Sequence, residues 1–469
     1  MRTALGDPIL EAWEETREKH RQRAAILDAQ GKTARTFSAI EERAEHFAAE
    51  LKAIEPGKVV AIQIGNHPDW ASLFLACLRR KLVVLPLEQT MSEEQKQSAF
   101  EICHVVAAAV SGGRDVQILP ETAAATRDAT ASDWDNDRPS LLKLTSGTTA
   151  APRAIRFRSE QLLADCENIC ETMGISQRDL NFGVIPISHS YGFSNLLTPL
   201  IARGVSLALS NDRMPRAIID GLAATRANVF PGMPVFYQSF CEMSEPPSLP
   251  DLRLCISAGA PLPPETAQGF SGKFGREIHS FYGASECGGI CYVHKAQPVP
   301  GFVGQVMSGV EIERVDRDNP VSLIRVRSRA VAAGYFPEPN EGKLGHGVFV
   351  PDDLLEKTQG GYRIVGRSSD LINVAGKKVH PAEVEAEILS CQGVRAAIVF
   401  GRQSERRNEE IAACVVAKGL SERELLAHCR ARLSSWQVPR RIYFVEAIPV
   451  NERGKTSRRE LAKRYPVTR

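Results

Sequence analysis

The chain has 469 residues, 43% hydrophobic and 24% charged, with a formal net charge of +2 at pH 7. Such a length can bury a large core but exceeds one ordinary domain, so two or three domains are expected. Near-neutrality argues against a partner bound through overall charge, so no nucleic acid is expected, and no run approaches the roughly 18–20 apolar residues of a membrane span.

The first residues, Met1 to Ile9, lack the apolar core of a signal peptide, and the 11 cysteines form no Cys-x-x-Cys pair. Both point to a cytoplasmic, reducing environment. Cys166/Cys170 and Cys287/Cys291 stand at helical spacing, but no His or second Cys pair accompanies either at ligand spacing. They read as small buried thiols.

In chain order, apolar residues at three- and four-residue spacing predict helices over 9–23 and 38–51, with a short strand over 24–28 between them. A strand over 59–64, a helix over 70–79 and a strand over 82–87 then set up βαβ rhythm, which continues through Val105 to Val110. Beyond residue 150 a helix over 160–173 leads to an apolar run ending in Ile187-Ser188-His189-Ser190-Tyr191-Gly192. Further units follow: strands near 205–209 and 229–230 around a helix over 215–223, then Leu254 to Ser257 running into Ala258-Gly259-Ala260-Pro261. Glu277 to Gly283 repeats that strand-to-turn shape. Loops at strand ends are where an α/β sheet keeps its ligands.

From about 301 to 365 the pattern shifts to short β runs, and Gly366 to Asp370 forms a polar break before a new core built on helices over 381–389 and 421–433 and strands over 396–400, 411–417 and 442–445. The expectation is an α/β protein: a large N-terminal domain over 1–366 of βαβ-built sheets with a small β-rich subdomain, then a small α+β domain over 367–469. That last segment carries 20 Lys and Arg against 12 Asp and Glu, near +8, which leaves the rest near −6.

The stretch around which the chemistry gathers is Thr145-Ser146-Gly147-Thr148-Thr149, preceded by the apolar run Leu141 to Leu144 and followed by Arg153. Gly147 frees the backbone to turn N–H groups toward an anion, the hydroxyls add neutral donors, and Arg153 offers a planar fork. Such a loop suits phosphate. Gly454-Lys455-Thr456 is not a Walker loop, because Pro449 stands where that pattern needs glycine.

With this loop belong Pro186-x-x-His189-x-x-Gly192, Tyr282-Gly283-Ala284-Ser285-Glu286, Asp353, Gly366-Arg367-x-x-Asp370 and Pro449-x-Asn451-x-x-Gly454-Lys455-x-x-Arg458. In this order and spacing, the set closely resembles the adenylate-forming superfamily of acyl-CoA synthetases, peptide-synthetase adenylation domains and beetle luciferases. The resemblance spans about Thr36 to Leu461.

It implies an ATP-dependent ligase in which a carboxylate attacks the α-phosphorus, so that charge accumulating on the phosphates must be neutralised. By that resemblance Thr145, Ser146, Gly147, Thr148, Thr149 and Arg153 hold the β- and γ-phosphates, and Glu286 with Thr145 holds Mg²⁺. Tyr282, within Tyr282-Gly283-Ala284-Ser285, would pack on adenine opposite Ala258 and Gly259. Asp353 would bind the ribose hydroxyls with Arg367 nearby, and His189 would stand at the mouth of the acyl pocket. Lys455 is the expected catalytic cation of adenylation, and Gly376 would serve the thiol step after the mobile small domain has rotated.

Departures from the family pattern are Ala150, Arg153 and Ala154 around the loop, Pro351-Asp352 before Asp353, Ser285 for the usual Thr, and Ser369 at the hinge. Arg153 keeps the charge while the loop loses two glycines. The expected reaction activates a carboxylic acid, fatty or aryl, as acyl-AMP and passes it to CoA, the chain carrying no fused carrier domain. The alternative acceptor is the phosphopantetheine arm of a separate acyl carrier protein, which a basic patch including Arg402, Arg406, Arg407, Arg440 and Arg441 would attract. A non-catalytic binding homologue is the second alternative, and a serine hydrolase lacks the Gly-x-Ser-x-Gly elbow. Gly192, Gly288 and Gly289 hint at an acyl pocket that side chains leave unfilled.

Overall fold

The structure is a computed structural model that describes residues 6–113, 115–120, 134, 137–145, 153–295, 301–404, 408–449 and 457–466. The fold is mixed α/β, in two compact units. The larger comprises 1–313, 325–351 and 359–362, and the smaller comprises 314–324, 352–358 and 363–469, so the chain passes between them several times.

The larger unit contains a 7-stranded sheet whose parallel centre is Leu141–Leu144, Val83–Pro86, Val59–Gln63 and Val105–Ser111. A second sheet runs in parallel through Ala24–Asp28, Ser206–Leu209, Leu180–Gly183, Val229–Gly232, Leu254–Ser257 and Ile278–Ala284. Strands buried on both faces need continuous apolar runs, and Val59 to Ile62, Val83 to Leu85 and Leu254 to Ser257 supply them, each buried. The helix Trp70–Arg79 is buried from Trp70 to Leu78, and Phe74 meets Phe193 edge-on at 5.2 Å. On the second sheet, Phe182, Phe230, Tyr237, Phe240 and Phe270 form the aromatic centre of the core.

Helix starts follow the expected chemistry. Asp7 Oδ1 caps the helix Pro8–His20 by accepting from the N–H groups of Ile9 at 3.0 Å and Leu10 at 3.4 Å. Elements without a clean period escaped the sequence pattern: the helix Pro264–Phe274 contains two glycines, and Glu93–Cys103 exposes most of its polar residues. The βαβ rhythm also breaks at Ala154–Phe157, a strand antiparallel to Leu141–Leu144.

In the smaller unit, Val394–Ser404 and Asn408–Ala417 pair antiparallel in a 5-stranded sheet. Alternation places Val399, Ala413 and Val415 in a core with Val384, Ile388, Leu425 and Cys429 of two helices. The opposite face buries Ile398, Phe400, Ala412 and Cys414 against Leu461.

Asn66 staples the two sheets of the larger unit. Its Nδ2 faces the carbonyls of Gly183 and Ile185 at 3.3 Å and of Ser210 at 3.1 Å, and its Oδ1 accepts from the Ile187 N–H at 3.0 Å. Asn66 is itself buried, so losing it strands several backbone groups away from water. Asn66→Ala should lower the stability of this unit by about 2–4 kcal/mol, read from a urea titration, and an unchanged transition would contradict the staple.

Candidate active site

The hydroxyl-rich loop is the connection of a hairpin rather than a strand-to-helix turn. Leu144 pairs with Ala154, and the Thr145 N–H donates to the Arg153 carbonyl at 2.8 Å. Ser146, Gly147, Thr148 and Thr149 lie outside the described residues. Arg153 is 35% exposed, with Glu338 3.9 Å away, so its guanidinium is accessible to an anion.

The strand Gly334–Phe336 pairs with the other side of Ala154–Phe157, Tyr335 opposite Ile155. From there the Tyr335 hydroxyl donates to Glu286 Oε1 at 3.0 Å, while the Ala332 N–H donates to the Glu286 carbonyl at 2.9 Å. Glu286 is thereby fastened to the hairpin that carries the loop. It sits in the turn between Ile278–Ala284 and Gly288–Tyr292, with Ser285 beside it. Gly283 is required there, since a Cβ on it would stand 2.5 Å from the Gly288 carbonyl oxygen.

Tyr282 and the Ala258-Gly259 turn emerge at the same end of adjacent parallel strands, because Ser257 lies opposite Ser280. Tyr282 is buried, whereas Gly259, at φ +85°, has open space where a Cβ would stand.

His189 begins the helical run that starts at Ser190, and its Nε2 contacts the Glu88 carboxylate. The spacing from Pro186 to Gly192 has a steric cause: a Cβ on Gly192 would lie 2.0 Å from the Pro186 carbonyl oxygen. Gly288 is equally closed, its φ at +70° and its Cβ position 1.9 Å from Asp165 Oδ1, and Gly289 packs on Met307 and Phe281. The expectation that these three glycines leave an acyl pocket open is therefore corrected, since each makes a close backbone approach. Nearby, burial raises the Tyr191 phenol well above its usual range, and its hydroxyl has no hydrogen-bond partner among the described residues.

Two buried charged residues, Lys143 and Asp165, were not revealed by periodicity, although a lone lysine in Leu141-Leu142-Lys143-Leu144 was a signal. Lys143 Nζ sits over the rings of Phe157 at 4.5 Å and Phe193 at 5.5 Å. Burial pushes the ammonium down to about 8, with the charge of Asp165 opposing. Asp165, on the helix Ser159–Met173, has its carboxyl raised by burial and pulled back by Lys143, by Ser194 and by the Gly289 N–H, which donates to Oδ1 at 3.1 Å.

In the smaller unit, Arg367 Nε donates to Asp353 Oδ1 at 2.9 Å, so these two expected ribose residues meet. Gly376, at φ +86°, and Ala375, at φ +51°, form the tight turn between Ile372–Val374 and Lys377–Val379. Ser369 lies in the short 3₁₀ turn Ser368–Asp370. Lys455 is outside the described residues, but three positions later Arg458 is anchored to Asp370 and Glu385 at 2.8 Å and to the Val399 carbonyl at 2.9 Å.

The expected carrier-protein patch needs correction at Arg402. Its guanidinium is buried against Glu410 and donates to the Tyr443 hydroxyl at 2.6 Å, so it holds the sheet together and offers no free charge. Arg441 stands 3.8 Å from Glu422, and Arg406 and Arg407 are outside the described residues.

A hard cation shared with phosphates needs few protein oxygens, and the accessible donors are of that kind, with Glu286 as the carboxylate and Thr145 on the hairpin. Among the described residues no group of three or more His, Cys, Asp or Glu could hold a metal by itself. All eleven cysteines are free, and all are buried except Cys241 and Cys391, which are partly so. No described helix is long and apolar enough to cross a membrane.

The model of the AMP-binding enzyme family matches residues 13–336, and that of the AMP-binding enzyme C-terminal domain matches 383–455. The chain belongs to the AMP-binding enzyme family. It is 27% identical to a feruloyl-CoA synthase of an Amycolatopsis species, over 93% of this chain and 95% of that protein. With the medium-chain fatty-acid–CoA ligase of Escherichia coli it shares 25% identity over 98% of this chain and 90% of that one. The fold matches ATP-bound MatB from Rhodopseudomonas palustris with a TM-score of 0.84 at 24% identity, over 97% and 99% of the two chains. MenE of Bacillus subtilis, in complex with its acyl-adenylate intermediate, matches with a TM-score of 0.80 at 21% identity, over 96% and 97%.

The correction at Gly192 is open to direct test. Gly192→Ala should cost about 1–3 kcal/mol or more through the clash with Pro186, read as a lowered thermal midpoint. Full stability would restore the open-pocket reading.

Proposed function

We propose that this chain is an ATP-dependent acid–thiol ligase. A carboxylate oxygen attacks the α-phosphorus of ATP, the bond to the bridging oxygen breaks, and pyrophosphate leaves, giving acyl-AMP. The thiol of CoA then attacks the acyl carbon, and AMP departs with the carboxylate oxygen while the thiol proton passes to solvent. The observation that carries this reading is the Tyr335–Glu286 hydrogen bond, which fixes a carboxylate to the hairpin bearing the hydroxyl-rich loop. A site that must neutralise a polyphosphate needs that combination of loop donors, a cation and a metal-binding carboxylate.

The roles then divide by chemistry. Thr145, Ser146, Gly147, Thr148, Thr149 and Arg153 hold the β- and γ-phosphates. Mg²⁺, held by Glu286 with Thr145, supplies charge neutralisation at the phosphates when bound. Tyr282, Gly283 and Ser285 with Ala258 and Gly259 frame the adenine, and Asp353 with Arg367 takes the ribose. His189, oriented by Glu88, faces the acid. Lys455 is the catalytic cation of adenylation, a compact charge on a segment whose downstream end Arg458 anchors. The Gly376 turn serves the thiol step, the smaller unit being the one that moves.

CoA is the preferred acceptor. Relatives named as CoA ligases support it, and the burial of Arg402 weakens the case for a cationic patch recruiting a carrier protein. The acid is a carboxylic acid whose class a panel of fatty, aryl and dicarboxylic substrates would settle by AMP release, and the cytoplasm is the proposed compartment.

The role of Lys455 separates the half-reactions. Lys455→Ala should slow acyl-AMP formation by about 10²–10³ while supplied acyl-AMP plus CoA still gives thioester. Equal damage to both steps would contradict the assignment.

A further inference from the structure

The buried carboxylate of Asp165 takes part in no step described so far, although leaving a charge in the interior is costly unless it is paired and hydrogen-bonded. It lies on the helix Ser159–Met173, directly under the turn that carries Glu286. The backbone of that turn rests on it: the Gly289 N–H donates to Oδ1 at 3.1 Å, and Gly288 comes so close that any Cβ there would overlap the same oxygen. Gly288 pays for this approach with a left-handed φ of +70°. The Asp165 charge acts on Lys143, on the strand that runs into Thr145, whose ammonium lies over the rings of Phe157 and Phe193.

Two segments that must keep a fixed separation thus bear on one buried carboxylate. The first is the hairpin strand leading to the phosphate loop, through Lys143. The second is the turn following Glu286, through Gly288 and Gly289. The Tyr335 bond fixes the Glu286 side chain from outside, and Asp165 fixes its backbone from beneath.

We propose that Asp165, with Lys143 as its counter-charge, is a positioning residue that clamps the Gly288-Gly289 backbone and thereby sets the metal-binding carboxylate of Glu286 against the phosphate loop. The inference rests on the ligase reading above and deepens it. Asp165 touches neither nucleotide nor metal, so its effect falls on the Mg²⁺-dependent step. Thioester formation from ready-made acyl-AMP needs no polyphosphate and should be spared.

The test uses the full chain. Asp165→Ala removes both charge and acceptor, Asp165→Asn keeps an acceptor for Gly289, and Asp165→Leu with Lys143→Met replaces the pair by apolar groups of similar size, a change that folds should tolerate. For each, the Mg²⁺ dependence of acyl-AMP formation is measured, together with calorimetric ATP affinity with and without Mg²⁺ and thioester formation from supplied acyl-AMP. In the Ala and the double variants, the Mg²⁺ needed for half-maximal adenylation should rise about tenfold and the gain in ATP affinity from Mg²⁺ should shrink by a similar factor. The Asn variant should stay within about threefold of wild type, and thioester formation within about twofold throughout. Should Asp165→Ala fail to fold, the double variant decides alone. An unchanged Mg²⁺ dependence, an Asn variant as impaired as Ala, or an equal fall in both half-reactions would overturn the clamp. A wild-type chain that makes no acyl-AMP, yet whose Mg²⁺-assisted ATP binding depends on Asp165, would overturn the ligase reading and leave the clamp standing.

Discussion

The contact on which the proposed site depends ties the Glu286 carboxylate to the strand beside the hairpin, through the Tyr335 hydroxyl. The Tyr335 hydroxyl donates to one of the carboxylate oxygens at 3.0 Å. Because Tyr335 belongs to the strand beside Ala154–Phe157, the bond also ties Glu286 to the strand that pairs with Leu141–Leu144.

Buried polar groups do the rest of the positioning. Asn66, at the end of a strand of one sheet, satisfies backbone groups at the ends of two strands of the other, and it thereby fixes the turn that presents His189. Asp165 and Lys143 lie deeper, where charges are expensive and where truncating one partner typically costs about 3–5 kcal/mol. Such a pair adds little net stability compared with apolar packing of the same volume.

The sequence made the fold class legible because both periodicities are strong: continuous apolar strands such as Val59 to Ile62 and amphipathic helices alternate through the first 290 residues. The proximity of Asp353 and Arg367, both in polar stretches, was equally legible, and they meet at 2.9 Å. What stayed hidden depends on contacts between distant segments. Nothing local marks Asn66 or Tyr335, and the strand Ala154–Phe157 is too short to show a period. Glycine was misleading for the same reason: Gly192, Gly288 and Gly289 look like open space in one dimension, and in three they are where backbone or side-chain oxygens and packed side chains press closest. Arg402 looks like surface charge until Glu410 and Tyr443 are seen around it.

The central claim is that a carboxylate oxygen attacks the α-phosphorus of ATP, and the fate of that oxygen tests it most directly. With an acid that supports turnover, labelled with ¹⁸O in its carboxylate, the AMP released in the presence of CoA should carry one labelled oxygen in its phosphate, and pyrophosphate should carry none. Label appearing in pyrophosphate or orthophosphate, or unlabelled AMP alongside thioester, would contradict the account.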